Sequence, residues 1–389
     1  MQRTALIGNI VLSDQVLEGG AVVIEGERIV GVPSSAEFRA GGEIEVVDYR
    51  PHYVAPGLID LHLHGAMGKD VMDGCAGGLS EIAAHEVRCG ITGFVPTTLA
   101  APWAAIHGAV EAVRAASAGG KGAEILGVYL EAPFLNIKKK GAQNPEFIRP
   151  VEEGDIPRLA EAVGSLPAVI TVAPEVGDNL RFIPALKERG WVVSIGHSEA
   201  AYERAIQSFE RGVTHATHLY NAMSGFLPRD PGVIGAVLDS DGVTAELIAD
   251  GIHVHPAALR LAVRQKGADR ICLITDSVNA SGLGDGGFRV GGLDVVVKDG
   301  EARLKDGGAL AGSVLTLNQA VRNIIRWTGV PISAAVRMAS LTPARVLGLD
   351  RDIGSLEKGK LANLAVFGRD FNVIAVYIRG RSPKCHPSS

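Results

Sequence analysis

From Pro56 onward the chain alternates between short apolar runs and Ala-rich amphipathic segments, and this rhythm restricts the fold more than any other feature. After "PGLIDLHLHGAMG" the apolar runs are "GFVPTTL", "EILGVYLEAP", "AVITVAPE", "WVVSIGHS", "GVTHATHL", "TAELIADG" and "RICLITDS". Between them lie segments such as "LSEIAAHEVRCG", "WAAIHGAVEAVRAASAG", "IPRLAEAVGSL", "NLRFIPALKERG" and "YERAIQSFERG". Strand–helix alternation through some eight units predicts a parallel α/β sheet, and that count favours a closed TIM-type (β/α)8 barrel over an open sheet.

Both ends of the chain differ from this middle. The first fifty residues read as short strands punctuated by Gly and Asp: "TALIGNIVLSD", "GGAVVIEGERIVGV" and "EIEVVDYR". The tail "IGSLEKGKLANLAVFGRDFNVIAVYIRGR" returns to β character with Gly-Lys turns. The economical arrangement is a small β-sandwich formed by residues 1–55 and 349–389, flanking a barrel of residues 56–348.

Composition narrows the function classes. A formal net charge of -5, with 47% hydrophobic and 21% charged residues, is ordinary globular composition. There is no basic block to hold nucleic acid, and Lys138-Lys139-Lys140 is an isolated run that reads as a solvated loop. The cysteines, Cys75, Cys89, Cys272 and Cys385, have no CxxC or regular spacing, which suits a reduced compartment. "MQRTALIGNIVLSD" has no basic segment followed by a long apolar core, and no uncharged apolar run approaches the roughly 20 residues of a membrane span. The expectation is a cytoplasmic protein with no membrane partner.

Polar residues gather where barrel chemistry belongs, at the C-terminal ends of the predicted strands. His62 and His64 are two apart on one strand, so their imidazoles face one side, as does Asp60. Glu131 ends "GVYLEAP", where a carboxylate would be costly to bury without a partner. His197 ends "WVVSIGHS". His215 and His218 in "GVTHATHL" are three apart and turn away from each other, so His218, nearer the loop, is the candidate ligand. "LIADGIHVH" supplies Asp250, His253 and His255, with Asp250 also suited to capping the turn at Gly251. Imidazoles and carboxylates converging from several strands predict a divalent metal site for Zn or Fe, with one or two ions per chain.

Asp276 closes the strand "LITDS" and can take a proton from an activated water, then hand it to a leaving group. No nucleophile elbow competes, since "GHS" lacks the GxSxG frame. "GLGDGG" satisfies GxGxxG, but the strand-like "FRVGGLDVVV" follows it where a dinucleotide site needs a helix.

At this point the residues resemble the amidohydrolase superfamily and, within it, the N-acetylglucosamine-6-phosphate deacetylases. "VAPGLIDLHLHG", "LEAPFLN", "GHS", "THATHLYNAMS", "RDPGVIGAVLD", "LIADGIHVHP", "ITDS" and "ALAGSVLTLNQAV" occur in that family's order over nearly the whole chain. The resemblance implies hydrolysis of an N-acetylhexosamine 6-phosphate to the amine and acetate. Glu131, His197 and His218 match the ligands of the family's common metal, while His62 and His64 match a pair that completes a second metal in some members. Asp276 matches the catalytic aspartate. Asn221 and Ala222, Asp250, Gly251, Ile252 and His253, and Leu310, Ala311 and Gly312 match substrate contacts. Arg229 matches a phosphate-binding arginine that the family supplies from the neighbouring subunit of a homodimer.

The chain also departs from the pattern. Tyr129-Leu130-Glu131-Ala132-Pro133 stands where His-Leu-Glu-Gly-Pro is common. Gln143, after Ala142, replaces a loop histidine that contacts substrate; glutamine donates a hydrogen bond but carries neither proton nor charge. Ser277 and Asn363 also differ from the residues usual at their positions. The competing expectations are a deacetylase of another N-acylated amino sugar, such as N-acetylgalactosamine 6-phosphate, and a metal-binding relic without turnover.

Overall fold

The computed structural model describes residues 3–39, 44–119 and 122–382; Cys385 and the end of the tail lie outside them. Eight parallel strands pair in chain order: Leu58–Leu63, Ile91–Thr98, Val128–Leu130, Ala168–Val172, Val192–Ile195, Val213–Ala216, Thr244–Ile248 and Ile271–Ile274. A parallel bridge from Leu63 to Ser277 joins the last strand's extension to the first, closing the barrel. Each predicted strand run overlaps one of these strands, although the strand at "GFVPTTL" starts earlier, at Ile91.

The helices between them follow from sequence signals. Asp155–Val163 buries Ile156, Leu159, Ala162 and Val163 on one face and stops at Gly164, whose positive φ of 63° glycine adopts without a side-chain clash. Pro256–Lys266 begins with proline at its first position, and His255 caps it by accepting the Ala257 N–H. Apolar strand residues and the inner helix faces merge into one core that includes Phe94, Tyr129, Phe134, Ile195 and Leu273.

Both termini contribute to a six-stranded sheet ordered Val373–Tyr377, Leu364–Phe367, Ile44–Pro56, Arg3–Val11, Val16–Glu25 and Arg28–Gly31. The long strand Ile44–Pro56 reaches the first barrel strand with only Gly57 between. Leu6, Ile10, Val22, Ile29, Val54 and Leu364 form the sheet's own core, while Phe367 packs into the barrel core.

One element was only half legible. Gly286–Val290, Leu293–Lys298 and Glu301–Leu304 form a three-stranded antiparallel sheet inserted after the last barrel strand. "GLGDGG" thus leads into a strand. Val290, Val295, Val297 and Ala302 pack with Leu99, Val278 and Ala311, which sets this sheet beside the C-terminal face of the barrel.

Phe367 fastens the terminal sheet to the barrel so tightly that a Cβ on Gly90 would come within 2.6 Å of its ring. Phe367→Ala should therefore cost about 3–5 kcal/mol, the usual range for emptying a buried phenylalanine site. Urea denaturation followed by fluorescence measures it. An unchanged midpoint would mean that the sheet is anchored elsewhere.

Candidate active site

The ends of the barrel strands converge on two groups of ligand atoms. Glu131, His197 and His218 form one; His62, His64 and Asp276 form the other. In the first, Glu131 Oε1 lies 3.1 Å from His197 Nε2 and 3.0 Å from His218 Nε2. In the second, Asp276 Oδ1 lies 3.2 Å from His64 Nε2 and 3.7 Å from His62 Nε2. Glu131 Oε2 is 3.4 Å from His64 Nε2, so the groups adjoin.

Protein partners fix which ring nitrogens carry protons. His64 Nδ1 donates to the Thr97 carbonyl at 3.1 Å and His197 Nδ1 to the Lys139 carbonyl at 2.7 Å. Carbonyl oxygens only accept, so the opposite Nε2 atoms of the neutral rings present lone pairs to the centre. His62 Nδ1 faces Glu246 Oε2 at 3.0 Å, with the same consequence. Yet the Nε2 atoms of His62 and His64 are 3.3 Å apart, and those of His197 and His218 are 3.0 Å apart. The His62 and His64 lone pairs repel at this distance unless positive charge lies between them, whereas His218, whose Nδ1 has no partner among the described residues, can present either a lone pair or an N–H from Nε2. Two imidazoles and a carboxylate per group fit a divalent cation such as zinc.

Proton affinities express the same demand. Burial lowers the basicity of His62, but the carboxylates of Glu246, Glu131 and Asp276 outweigh it and raise its pKa from 6.5 to about 10. His64 and His218 are also raised, against burial, by Asp276 and Glu131 in the first case and by Glu131 in the second. For Glu131 burial works against the charge, but His62, His197 and His218 hold its carboxyl well below the ordinary range. Asp276 is lowered likewise: His62 and His64 overcome the desolvation of its carboxylate.

Backbone geometry places these side chains. His197, His218 and Asp276 each stand just past a strand end in the left-handed region, with φ of 44°, 30° and 51°. Such conformations cost non-glycine residues about 1–3 kcal/mol each and persist only where surrounding bonds enforce them.

Glu131, His197, His218, His64 and Asp276, though not His62, line a pocket of about 300 Å³, a size for one small sugar, whose walls include Ala142, Gln143, Asn221, Ala222, His253, Leu310, Ala311 and Gly312. Lys138 and Lys139 line it too, where the sequence suggested only a solvated loop. Asp250, Gly251 and Ile252 do not line it: Asp250 Oδ1 accepts the N–H groups of Ile252 and His253, and Oδ2 lies 2.6 Å from His253 Nδ1. Asp250 thus caps the turn and orients His253. Arg229 is exposed on a loop beside Phe226 and Leu227, outside this pocket.

The departures from the family pattern have specific surroundings. Gln143 Oε1 accepts the Ala100 N–H at 2.7 Å, which orients the amide so that Nε2 donates to Glu131 Oε2 at 2.5 Å. Its amide is engaged with the ligand carboxylate. Tyr129 packs its ring 4.7 Å from that of His62, and its hydroxyl is 2.8 Å from Thr217 Oγ1 inside the barrel. Asp60 does not join the ligands; it accepts the Thr275 hydroxyl at 2.6 Å and the His62 N–H at 3.2 Å.

Sequence reasoning passed over Glu246. It is fully buried between His62 and His215, whose Nε2 is 3.0 Å from Glu246 Oε1. The available signal was a lone carboxylate in the apolar run "TAELIADG", which demands partners.

Comparison with known proteins agrees with this architecture. Residues 53–382 match the amidohydrolase family. The N-acetylglucosamine-6-phosphate deacetylase of Vibrio furnissii is 40% identical over 87% of this chain and 84% of its own. The N-acetylgalactosamine-6-phosphate deacetylase of Escherichia coli O157:H7 is 38% identical over 87% of this chain and 89% of its own. Among solved structures, a mutant N-acetyl-D-glucosamine-6-phosphate deacetylase from Mycobacterium smegmatis, in complex with N-acetyl-D-glucosamine-6-phosphate, superposes with a TM-score of 0.92. That pair is 32% identical over 98% of this chain and 100% of the other.

Zinc added to chelator-stripped protein should release protons, and its apparent affinity should climb as pH rises from 6.5 towards about 10, the raised value of His62. The sign follows from competition: a ligand must shed its proton before coordinating, so acid favours the metal-free form. Calorimetry in buffers of different ionisation heat counts the protons. An affinity independent of pH would contradict the ligand assignment.

Proposed function

The chain belongs to the amidohydrolase family, and from that premise we propose that it hydrolyses the acetamide of N-acetyl-D-glucosamine 6-phosphate to D-glucosamine 6-phosphate and acetate. The observation that carries this reading is the convergence of Glu131, His197 and His218 with Asp276 on one sugar-sized pocket.

An acetamide is a weak electrophile with a poor leaving group, so its hydrolysis needs a polarised carbonyl, an activated water and a proton for the departing nitrogen. A divalent metal, when bound, supplies Lewis acidity for the first two. Glu131, His197 and His218 hold the principal ion, and His62 and His64 provide for a second; zinc or iron suits either donor set. Asp276, ionised at neutral pH, takes a proton from the attacking water and passes it to the nitrogen as the carbon–nitrogen bond breaks. Asn221, Ala222, His253 and the turn Leu310–Gly312 hold the sugar, with Ala142 and Gln143 closing one wall.

The position of Arg229, exposed and outside its own pocket, supports a homodimer in which it reaches the neighbouring site and grips the 6-phosphate. Exposed Phe226 and Leu227 on the same loop suit a surface covered by a second subunit. Among the described residues no helix is long and apolar enough to cross a membrane, and we place the enzyme in the cytoplasm, acting on a small phosphorylated amino sugar.

The Escherichia coli relative makes the galactosamine isomer the second candidate substrate. Acetate release from N-acetylglucosamine and N-acetylgalactosamine, each with and without 6-phosphate, separates the two. The glucosamine 6-phosphate should show the highest kcat/KM, and absence of acetate from all four would leave only a binding protein.

Asp276→Asn should lower kcat by about 10²–10⁴-fold while zinc bound at the Glu131 group is retained, because the proton carrier is lost but those ligands remain. Near-normal turnover by the zinc-loaded variant would refute the role.

Arg229→Ala should raise KM for the 6-phosphate about ten- to a hundredfold, since a charge-assisted contact contributes roughly 1.5–3 kcal/mol. Turnover of the unphosphorylated sugar should hardly change. Mixing Arg229→Ala with Asp276→Asn subunits should restore activity in heterodimers, because one composite site keeps both residues. No rescue after verified subunit exchange would put Arg229 in its own subunit's site.

A further inference from the structure

Glu246 bonds to both ligand groups from behind. Its Oε2 lies 3.0 Å from His62 Nδ1 and accepts the His218 N–H at 2.9 Å. Its Oε1 lies 3.0 Å from His215 Nε2, and among the described residues His215 Nδ1 has no partner, so that ring's polar contact is with Glu246. We propose that Glu246 is a positioning residue shared by the two metal sites, fixing the His62 tautomer in one and the His218 backbone in the other. This rests on reading the two groups as metal sites.

The argument runs through what each bond fixes. A His62 ring whose Nδ1–H points at a carboxylate must aim its Nε2 lone pair at the centre, and the carboxylate makes that nitrogen a better donor. His218 stands at φ 30°, a conformation that needs enforcement, and its N–H is held by Glu246. One side chain therefore aims a ligand of the second site and secures the turn that presents a ligand of the first. Glu246 is fully buried, so water cannot replace it.

The test is zinc titration of chelator-stripped protein against a chromogenic competitor. Glu246→Gln, nearly isosteric, should weaken the His62 site about tenfold by removing the charge behind that ring, while its amide oxygen can still accept the His218 N–H. Glu246→Leu, which offers no acceptor, should weaken both zinc sites about tenfold or more, the range seen when a bond behind a metal ligand is removed. In a His62→Ala background, where only the Glu131 group remains complete, Glu246→Leu should still weaken zinc by about tenfold through His218. The cobalt-substituted protein should show an altered visible spectrum in both backgrounds. An unchanged affinity in the His62→Ala background would overturn the shared role and confine Glu246 to one site. Unchanged affinity at both sites with a lowered melting temperature would make it structural only. If Glu246→Leu does not fold, Glu246→Asp keeps the charge but cannot span both partners, and the same affinities decide. Wild-type protein that binds no zinc would instead sink the metal reading itself.

Discussion

The barrel closes through the backbones of the residues proposed to carry its chemistry. Asp276 N–H donates to the His62 carbonyl at 2.8 Å, and His64 N–H donates to the Ser277 carbonyl at 2.7 Å. Beneath them Asp60 accepts the Thr275 hydroxyl, drawing the last strand against the first. A strand that slipped by one residue would turn His62 and His64 outward, because side chains alternate along it. Closure and assembly of the site are therefore one event. The pair of histidines cannot face the pocket without Asp276 being delivered beside them.

Electrostatics completes what closure begins. Five histidine and carboxylate side chains meet Asp276 in a buried centre, and their acceptor atoms cannot stay in contact without positive charge. Protons meet that demand when the metal is absent, which is why His62 is raised to about 10 despite its burial. A cation meets it with better geometry, since one ion can face three acceptors together. The strain at His197, His218 and Asp276 belongs to the same arrangement. Each residue turns back over the strand end to aim at the centre, and backbone bonds with Glu246, Asn136 and His62 hold the turns.

What was legible in the sequence follows physical range. The barrel strands were readable because apolar runs and amphipathic helices have local periods. His62 and His64 were readable because a strand sets two side chains on one face. Glu246 was not, because His215 and His218 reach it across a pairing with the neighbouring strand that no local pattern encodes, and His62, from the first strand, comes beside it only on closure. Gln143 was assigned to substrate from the resemblance alone; its bonds to Ala100 and Glu131 depend on a loop path that no local pattern encodes. The inserted sheet was only partly visible, since "FRVGGLDVVV" gives strand character but not the side of the barrel it will cover.

That sheet matters because it adjoins the pocket wall that is bonded to the segment presenting Asp276. Ser313 N–H donates to the Asp276 carbonyl at 2.8 Å, and Val278 N–H donates to the Ser313 carbonyl at 3.0 Å. The turn Leu310–Gly312 is thereby laid directly over the segment that presents Asp276. Gly312 has φ 59°, and a Cβ there would come within 2.7 Å of the Asp276 carbonyl oxygen and 2.5 Å of Val278 Cγ1. Only glycine lets the two backbones approach so closely. A ligand pressing on this turn presses on the backbone of Asp276, so the wall and the carboxylate proposed to move the proton form one mechanical unit.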